Sequence, residues 1–310
     1  MKRTYATDGW LAHDPATGLT HRAPIPLPVG RTRLEQSDVN GWPAVDPGGL
    51  DRAMPVSLCW SPIVRCNLAC PHCLDDVSVP EMPSADRGRI AGILADAGVL
   101  GVDISGGEPL LLRDLPALAR RIASGGRAAV SVTTNGWHLT RRVDELAAAL
   151  DAIRVSLDGP DGDTHDRIRG AGSFARAKDS VRAAVAAGLP VQIQTVLMAG
   201  NRPHAQRMID LADRLGAGAV TFLQMLPIGA GAGMPAEMLT DPAASGLLNA
   251  LDVPPGMRVR VRTRASAGGF TVVRADGRVW RNDEAARGID GLRPLTAARD
   301  LALTARDGSA

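Results

Sequence analysis

An alternation of apolar strands and amphipathic helices begins near residue 54 and continues to about residue 228. Each of the six predicted strands is a short run rich in Val, Ile, Leu and Ala, at 56–64, 101–105, 128–134, 152–157, 191–198 and 219–226. Between them lie Ala-, Leu- and Arg-rich segments with helical spacing, at 84–98, 114–124, 140–150, 173–187 and 203–215. Strands that alternate with helices are typical of parallel βαβ units. The pattern predicts an α/β fold, a partial (β/α)6 TIM-like barrel whose functional loops follow the carboxyl ends of the strands.

The segment before this core has a different composition. Residues 1–53 are rich in Pro, Gly, Asp and Thr and show weak periodicity. The proline-rich run at 23–30 would break any helix. We therefore expect residues 1–53 to form an irregular N-terminal extension and residues 54–230 to form the barrel.

The segment after the core, residues 231–310, follows a flexible Gly/Ala-rich connection. Strands are predicted near 271–274 and 278–280, on either side of the turn Ala275-Asp276-Gly277. The last residues, 297–310, predict a short helix that frays at its end. Together these elements predict a small C-terminal α+β appendage to the barrel.

Composition and charge limit the classes of function. The chain has 310 residues, 45% of them apolar, and a formal net charge of +2, which indicates neither nucleic acid nor anionic lipid as a partner. It has no apolar run of about 18 residues, the length that suggests a membrane span, and its start lacks the apolar stretch of a signal peptide. Of its four cysteines three are clustered, which does not indicate a disulfide framework. We expect a protein of the reducing cytoplasm.

Three cysteines, Cys66, Cys70 and Cys73, follow the first predicted strand with the spacing C-x3-C-x2-C. Three thiolates can bind three irons of a 4Fe–4S cluster, which normally takes four cysteines, so one iron would be open to chemistry. The alternative is a zinc site in which Cys59 supplies a fourth thiolate. Zinc sites usually combine paired C-x2-C units, and Cys59 lies within a predicted strand, so the cluster is favoured.

Further motifs stand at the ends of later strands. The run Ser105-Gly106-Gly107-Glu108-Pro109 contains adjacent glycines, which let a backbone approach a ligand, and a carboxylate, which can bind an ammonium group. Thr133-Thr134-Asn135-Gly136 ends the third strand, Ser156-Leu157-Asp158-Gly159-Pro160 the fourth and Leu226-Pro227-Ile228-Gly229 the sixth. Alone, each of these could be an ordinary turn or surface loop. Together they indicate one site, because the ends of parallel barrel strands gather at one face.

The cysteine spacing and the order of these motifs resemble the radical S-adenosylmethionine (radical SAM) family, in the branch that contains MoaA, PqqE and the anaerobic sulfatase maturases. The resemblance covers about residues 56–230. It implies one 4Fe–4S cluster on Cys66, Cys70 and Cys73, with SAM bound to the open iron. The further cofactor-binding positions that it implies are His72, Gly106, Gly107, Glu108, Asn135, Ser156, Arg169, Gln194, Thr195 and Pro227.

The resemblance also implies particular roles for some of these positions. Glu108 and the glycines before it would bind the amino group of SAM. Ser156 and Arg169 would meet its carboxylate and ribose, and a guanidinium fork suits a carboxylate. His72, which stands where the family usually has an aromatic residue, would pack near the adenine, as would the backbone at Pro227. The alternative for His72 is a loop histidine that faces solvent.

In this family an electron from the reduced cluster cleaves SAM, and the resulting 5′-deoxyadenosyl radical takes a hydrogen atom from the substrate. The resemblance therefore implies a radical SAM enzyme with a flavodoxin- or ferredoxin-type reductant. Relatives often carry a SPASM or twitch domain with further clusters, but no cysteine follows Cys73. The hairpin near 271–280 resembles such a domain without its cysteines, so we expect a degenerate remnant and a single cluster.

Two side chains are candidates for a direct part in the reaction. Alternate residues of a strand share a face, which places Cys59 with Ser57 and Ser61 toward the barrel lumen. There Cys59 could donate a hydrogen atom to a substrate radical, as resembling epimerases do with a cysteine; the alternative is a buried, inert thiol. Asp158 stands at the end of the fourth strand and could contact the substrate.

Three outcomes remain open for the function. The first is modification of a small natural-product scaffold, such as a sugar, nucleoside or aminoglycoside, by epimerisation, deoxygenation or decarboxylation. The second is modification of a ribosomally made peptide. Residues 1–53 are fewer than the usual leader-peptide recognition module needs, which favours the small substrate. The third is a non-catalytic zinc or cluster-binding protein.

Overall fold

The computed structural model of the chain describes residues 2–74, 77–267, 270–282 and 285–303. Its N-terminal part forms a three-stranded antiparallel sheet, so the expectation of an irregular extension was wrong. The elements of this part are β1 (Lys2–His13), β2 (Thr20–Glu35), α1 (Gln36–Gly41) and β3 (Ala44–Val45).

The long hairpin of β1 and β2 tolerates its prolines because they stand outside the regular ladder. The pairing passes from Leu11 opposite Arg22 to Gly9 opposite Leu27, so the segment with Pro24 and Pro26 has no paired partner. A second irregularity leaves out Pro28 in the same way. A proline has no N–H to donate, and an unpaired position in a bulged strand does not require one. The proline run therefore excludes a helix but not a strand.

Residues 57–224 alternate strands and helices, as the sequence pattern predicts. In chain order the elements are β4 (Ser57–Trp60), α2 (Ser84–Asp96), β5 (Gly101–Ile104), α3 (Leu115–Ala123), β6 (Ala129–Thr134), α4 (Val143–Ala147), β7 (Ala152–Ser156), α5 (Gly162–Arg169), α6 (Ser173–Ala186), β8 (Val191–Leu197), α7 (Ala205–Leu215) and β9 (Ala219–Gln224). Strands β4 to β9 are neighbours in this order and all pair in parallel, which confirms the predicted α/β fold. Helix α5 was not predicted.

The C-terminal region adds strands to both edges of this sheet. Its elements are α8 (Asp241–Ser245), β10 (Arg258–Arg262), β11 (Thr271–Val273), β12 (Arg278–Arg281) and β13 (Arg293–Pro294). β10 pairs in parallel with β9, and β11 pairs in parallel with β4. β11 and β12 form the predicted antiparallel hairpin. The appendage therefore shares its sheet with the barrel. A 3-10 helix (Ala298–Leu301) follows, and residues 304–310 of the predicted tail helix lie outside the described residues.

The two faces of the barrel strands differ in polarity. Large apolar residues such as Trp60, Ile104 and Val132 pack on the helices in the main hydrophobic core. Alternate residues of the same strands point to the lumen, since successive strand residues face opposite sides. Most of the lumen residues that line the central cavity are small or polar, although Val196 and Leu223 on these faces are large and apolar. The small or polar ones are Ser57, Cys59, Ser61, Gly101, Asp103, Ser131, Thr133, Arg154, Ser156 and Gln194. The core therefore lies outside the sheet and the polar space inside it.

The tip of the β1–β2 hairpin closes the amino end of this lumen. Arg154 Nη2 donates a hydrogen bond to the carbonyl oxygen of Pro15 at 3.0 Å, and Gln192 Nε2 donates to that of Thr17 at 3.3 Å. A Cβ atom on Gly101 would stand 2.3 Å from His13 Nε2, so only glycine fits at the start of β5. Among the helices of the described residues, none is long and apolar enough to cross a bilayer.

Candidate active site

One cavity of about 760 Å³ runs through the barrel, from the hairpin tip at its floor to the cysteine loop at the carboxyl ends of the strands. His13, Pro15 and Gly18 line its floor. Eleven of the predicted site residues line its walls: Cys59, Cys66, Cys70, His72, Cys73, Gly106, Gly107, Asn135, Ser156, Arg169 and Gln194. The cavity therefore connects the predicted cofactor positions with the barrel lumen.

The chain that leads into Cys66 is held on two sides. The backbone N–H groups of Gly107 and Glu108 donate to the carbonyl oxygens of Ile63 and Arg65 at 2.8 and 2.9 Å. On the other side, the carboxylate of Glu81 accepts hydrogen bonds from the backbone N–H groups of Val64 and Arg65 at 3.0 and 2.9 Å. The start of the cysteine loop is thereby fixed against the loop that follows β5.

Gly106 and Gly107 are glycines because these two loops pack backbone to backbone. A Cβ atom on Gly106, which has a φ of +112°, would stand 2.3 Å from the carbonyl oxygen of Ile63. A Cβ atom on Gly107 would stand 2.3 Å from the carbonyl oxygen of Arg65. Real side chains never approach backbone so closely. The two glycines are therefore required for the close packing of the cysteine loop, and this packing also places them at the cavity wall.

Glu108 does not face the cavity, and this corrects its predicted role in binding an ammonium group. The residue has no exposed surface. Its carboxylate accepts hydrogen bonds from the Leu110 backbone N–H at 2.9 Å, Thr134 Oγ1 at 2.7 Å and the Asn135 backbone N–H at 2.8 Å. Burial raises the pKa of Glu108, and these three donors offset part of that increase. Glu108 joins the loops after β5 and β6 and so positions Asn135.

The sulfur of Cys66 receives two hydrogen bonds from the surrounding chain. The Leu68 backbone N–H lies 3.4 Å from Sγ, and Asn135 Nδ2 lies 3.7 Å from it. Asn135 Nδ2 also donates to Asn67 Oδ1 at 2.9 Å, which fixes its amide. Donors of this kind stabilise a thiolate and tune an iron–sulfur cluster.

Burial raises the pKa of the Cys66 thiol, and that of the Cys70 thiol to about 11. Thiolates are the form that binds metal, so a positively charged centre is needed to deprotonate these cysteines. Among the described residues, no three His, Cys, Asp or Glu side chains converge on a single metal ion. In a cluster, by contrast, each cysteine binds a different iron.

Asp158 is also withdrawn from the cavity, and the structure corrects its predicted contact with substrate. It has no exposed surface. One carboxylate oxygen accepts the Val196 backbone N–H at 2.8 Å, and the other lies 2.6 Å from Arg169 Nε and 3.3 Å from His72 Nε2. Asp158 therefore holds Arg169 and His72 in place at the cavity wall.

The remaining predicted cofactor positions divide into two groups. His72 is buried at the wall, and its Nδ1 atom has no partner among the described residues. Burial lowers the pKa of His72 in spite of the neighbouring Asp158. Thr195 does not line the cavity, because its hydroxyl donates to the carbonyl oxygen of Leu157 at 2.6 Å on the other face of β8. Pro227 does not line it either, although Leu226 beside it does.

Cys59 lies on the lumen face of β4, with its Sγ atom 4.0 Å from Ser61 Oγ. It also packs against an apolar cluster of Ile228, Val272 and Trp280, to which β11 and β12 contribute. The thiol is therefore accessible from the cavity, and its part in the reaction stays a prediction.

Several lumen residues were not identified from the sequence. Asp103 accepts hydrogen bonds from the hydroxyl groups of Ser131 and Thr133, each at 2.8 Å, and forms an ion pair with Arg154 at 2.5 Å. Arg260 and Arg262 enter from β10. The sequence does contain a pattern that could have identified these lumen residues, since polar residues alternate with apolar ones on β5, β6 and β10. Whether such a face meets water or a lumen is decided only by the closure of the sheet.

The fold is a parallel α/β barrel with a three-cysteine loop at the carboxyl ends of its strands, and a nucleotide-sized cavity lies beside that loop. These features define the class of barrel proteins that bind an iron–sulfur cofactor. Residues 60–212 match the family model of the Radical SAM superfamily. The barrel of this chain therefore contains a radical SAM domain.

Several curated proteins resemble parts of this chain. A probable GTP 3′,8-cyclase of Methanocella arvoryzae is 39% identical over 153 residues, 47% of this chain and 49% of that protein. A PqqA peptide cyclase of Methylocella silvestris is 35% identical over 170 residues, 53% of this chain and 45% of that protein. An AdoMet-dependent heme synthase of Methanosarcina barkeri is 33% identical over 184 residues, 57% of this chain and 52% of that protein. The chain spans about half the length of these relatives.

Two solved structures share the fold. SuiB of Streptococcus suis bound to the precursor peptide SuiA has a TM-score of 0.61 and 17% identity, and the match covers 73% of this chain and 59% of that chain. Native anSMEcpe with bound AdoMet has a TM-score of 0.57 and 18% identity, covering 75% of each chain. At this level of identity they establish the barrel architecture alone.

The residues of this chain fit the cofactors of the family, a 4Fe–4S cluster and SAM. The three thiols lie on one loop at the cavity, and Cys66 has N–H donors directed at its sulfur. The guanidinium of Arg169 is oriented at the same wall by Asp158, with its Nη2 atom 3.5 Å from Nε2 of His72. The family assignment replaces the zinc alternative.

Proposed function

We propose that this protein is a radical SAM enzyme that removes a hydrogen atom from a small substrate held in the barrel lumen. The observation that carries the proposal is the continuity of the cavity. The cysteine loop and the polar lumen are parts of one space of about 760 Å³. A substrate in the lumen and a cofactor at the cysteine loop therefore share one enclosed volume.

In this proposal Cys66, Cys70 and Cys73 hold the cluster. Bound together, the reduced cluster and SAM supply a 5′-deoxyadenosyl radical, which is the hydrogen-abstracting reagent of the family. The electron comes from a flavodoxin- or ferredoxin-type protein. No cysteine follows Cys73, so the chain offers ligands for one cluster of this kind.

The protein residues position SAM rather than react with it. Arg169 presents its guanidinium to the carboxylate of SAM, because Asp158 binds its Nε atom and fixes its orientation. The amino group of SAM binds to the backbone at Gly106 and Gly107, since the carboxylate of Glu108 is buried and accepts three hydrogen bonds from the protein. Ser156 and Gln194 line the wall between these groups and the lumen.

The hairpin tip at the floor has a function in this scheme. It closes the amino end of the barrel with His13, Pro15 and Gly18, so that substrate and water enter from the cofactor side. A substrate radical is quenched by solvent or by stray hydrogen donors, and enclosure protects it. The buried contacts of Arg154 and Gln192 with the tip hold this closure in place.

The cavity favours a small substrate, such as a sugar or a nucleoside, for epimerisation, deoxygenation or decarboxylation. Its volume lies within the range of about 300–1,000 Å³ that is typical of small-molecule sites. SAM takes part of this volume, and what remains of the closed lumen fits a compact scaffold.

The second candidate function is modification of a ribosomally made peptide. It is favoured by one observation, the 35% identity over 170 residues with a PqqA peptide cyclase. In that case a single side chain of the peptide would enter the lumen from the mouth of the cavity.

Anaerobic reconstitution with iron and sulfide tests the proposed function. We expect a brown protein that forms 5′-deoxyadenosine from SAM and dithionite. A colourless protein, or a brown one that never cleaves SAM, would refute it. The rate of 5′-deoxyadenosine formation then ranks substrates, because the true substrate increases it above the uncoupled rate. Sugar and nucleoside derivatives are compared with synthetic peptides encoded by neighbouring genes, and an increase with the peptides alone would select the second candidate.

Cys59 is proposed as a hydrogen donor to the substrate radical, on the ground that its thiol lies on the lumen face of β4. A Cys59→Ala protein should still cleave SAM but should form less product, and it should incorporate no solvent deuterium at the reacting carbon. A Cys59→Ala protein that makes the same product at the normal rate would exclude this part.

A further inference from the structure

Three guanidinium groups converge in the lumen without an equal number of carboxylates. Strand β10 has the sequence Arg258-Val259-Arg260-Val261-Arg262, in which the arginines share one face. Arg260 and Arg262 line the cavity, together with Arg154 of β7. We call these three residues, Arg154, Arg260 and Arg262, the lumen arginines.

The partners of the lumen arginines are few. Arg154 forms an ion pair with Asp103 at 2.5 Å and donates to the carbonyl oxygen of Pro15 at 3.0 Å. Arg260 Nε donates to Thr221 Oγ1 at 3.1 Å. The guanidinium carbon of Arg262 lies 4.8 Å from the centre of the Phe270 ring. Across the described ranges, neither Arg260 nor Arg262 has an ion pair with a carboxylate.

This arrangement is electrostatically unfavourable without a further anion. Burial, reinforced by Arg262 and Arg154 and opposed in part by Asp14, lowers the pKa of Arg260 to about 9. Burial also lowers the pKa of Arg262; Cys59 opposes this effect in part and Arg154 adds to it. Guanidinium groups that remain charged in a sheltered space repel one another and lose hydration. Proteins tolerate such clusters where a ligand of opposite charge completes them.

We propose that the lumen arginines bind an anionic group of the substrate, a phosphate ester or a carboxylate. This inference rests on the proposed function, which places the substrate in the same lumen. The flat guanidinium fork donates two parallel hydrogen bonds to either oxyanion. The anionic end of the substrate lies toward β10 and the floor, and its reacting carbon lies toward the cysteine loop.

The same charges narrow the substrate class. A polycationic aminoglycoside would be repelled by the lumen arginines, so this scaffold does not fit the lumen. A phosphorylated sugar, a nucleotide or a sugar acid does fit, because one end carries the charge and the other carries unactivated C–H bonds. Phe270, beneath the guanidinium of Arg262, holds that side chain over its ring and toward the cavity.

Anion binding by the reconstituted full chain tests the inference. Isothermal titration calorimetry with inorganic phosphate and with acetate, in a buffer free of other oxyanions, should give saturable binding. Arg260→Gln and Arg262→Gln should each weaken it about tenfold or more, as loss of a charged hydrogen bond predicts. Stronger binding of phosphate supports a phosphate ester, and stronger binding of acetate supports a carboxylate.

Arg258→Gln is the matched control. Arg258 stands on the same strand and face, but its Nε and Nη2 atoms bind Asn40 of α1 outside the cavity. This variant should bind the anion within about twofold of the wild-type protein. Absence of saturable anion binding, or equal binding by the three variants and the wild type, would overturn the inference.

The test separates this inference from the proposed function. A protein that cleaves SAM to 5′-deoxyadenosine but binds neither anion retains the proposed function and loses the inference. A protein that binds phosphate through Arg260 and Arg262 but never cleaves SAM retains an anion site and loses the radical chemistry. Circular dichroism of each variant confirms that a loss of binding does not come from a loss of folding.

Discussion

The carboxylate of Asp158 lies 2.6 Å from Nε of Arg169, and no part of Asp158 is exposed to solvent. Burial by itself would raise the pKa of Asp158, but Arg169 and His72 hold it below its usual range. Burial by itself would lower the pKa of Arg169, but Asp158, together with Cys70 and Cys73, outweighs burial and raises it. The two residues thus form a charged pair whose purpose is to fix the guanidinium at the cavity wall.

Replacing Asp158 with asparagine should weaken SAM binding more than it slows turnover. Asp158→Asn removes the charge that holds Arg169 and turns an amide toward it, so the guanidinium loses its orientation. Loss of one charged hydrogen bond is worth about 1.5–3 kcal/mol, or roughly a tenfold to hundredfold increase in KM for SAM. The rate of 5′-deoxyadenosine formation at varied SAM concentration measures it. Asp163→Asn, an exposed change on the same helix α5, should leave KM unaltered; an unaltered KM in Asp158→Asn would contradict the positioning role.

The three loop cysteines should be separable from Cys59 by their effect on iron content. Cys70→Ala removes one of three ligands, so the reconstituted protein should lose most of its iron, its brown colour and its cleavage of SAM. Cys59→Ala should retain a full complement of iron and sulfide, because Cys59 stands in β4 and not in the loop. Iron and sulfide per chain are measured after anaerobic reconstitution and desalting. Iron loss in Cys59→Ala would show that the ligand set is different.

The barrel could be predicted because each strand and helix of the core carries its own local signal. The N-terminal hairpin could not, since Pro24 and Pro26 suppress the strand signal and only the pairing with β1 shows that they lie in an irregularity. Helix α5 was missed because His165 is its one buried residue, so it lacks an apolar stripe.

The features of the candidate site that depend only on a short stretch of sequence could be predicted. The spacing of Cys66, Cys70 and Cys73 is a property of eight consecutive residues and needs no tertiary structure. The functions of Glu108 and Asp158 were mistaken because the same carboxylate can face a ligand or a neighbouring loop, and packing decides between them. Arg260 was not identified because β10 lies far along the chain from β9, and the sequence does not show that these two strands pair.

Gly106→Ala should strongly destabilise the protein and disturb the cysteine loop. A φ of +112° is unfavourable for alanine, and the added Cβ would stand 2.3 Å from the carbonyl oxygen of Ile63. Strain of both kinds predicts a loss of about 3 kcal/mol or more in the free energy of unfolding. Urea unfolding of the chain measures it, and wild-type stability would contradict this account of the loop packing.

Gly88→Ala is the matched change in helix α2, where the same methyl group should have the opposite effect. Apart from its chain neighbours and the backbone of its own helix, no atom lies within 4 Å of the added Cβ, and the backbone there is helical. Glycine within a helix is less favourable than alanine by roughly 0.5–1 kcal/mol, so this variant should be more stable than the wild type by about that amount. A loss of stability in Gly88→Ala would indicate that methyl groups harm this protein for a reason unrelated to Gly106.

His13 gives the floor of the lumen a dependence on pH. It is buried, and burial, reinforced by Arg154 and Arg260, lowers its pKa to about 3. In the unfolded chain a histidine has a pKa of about 6.5. Between these two pH values His13 is protonated in the unfolded state but not in the folded state. The contribution of neutral His13 to the free energy of unfolding is therefore complete above pH 6.5 and falls as the pH decreases.

Replacing His13 with glutamine should therefore reduce the acid sensitivity of folding, whatever it does to stability at pH 7. From pH 7 to pH 5, His13 should account for about 2 kcal/mol of the fall in the free energy of unfolding, calculated from the two pKa values. Urea unfolding at both pH values measures the fall for each protein, and the fall in His13→Gln should be smaller by that amount. His204→Gln, at a partly exposed position in the 3-10 helix Arg202–His204, should leave the fall unchanged. An equal fall in His13→Gln and the wild type would mean that His13 takes up its proton without unfolding the floor.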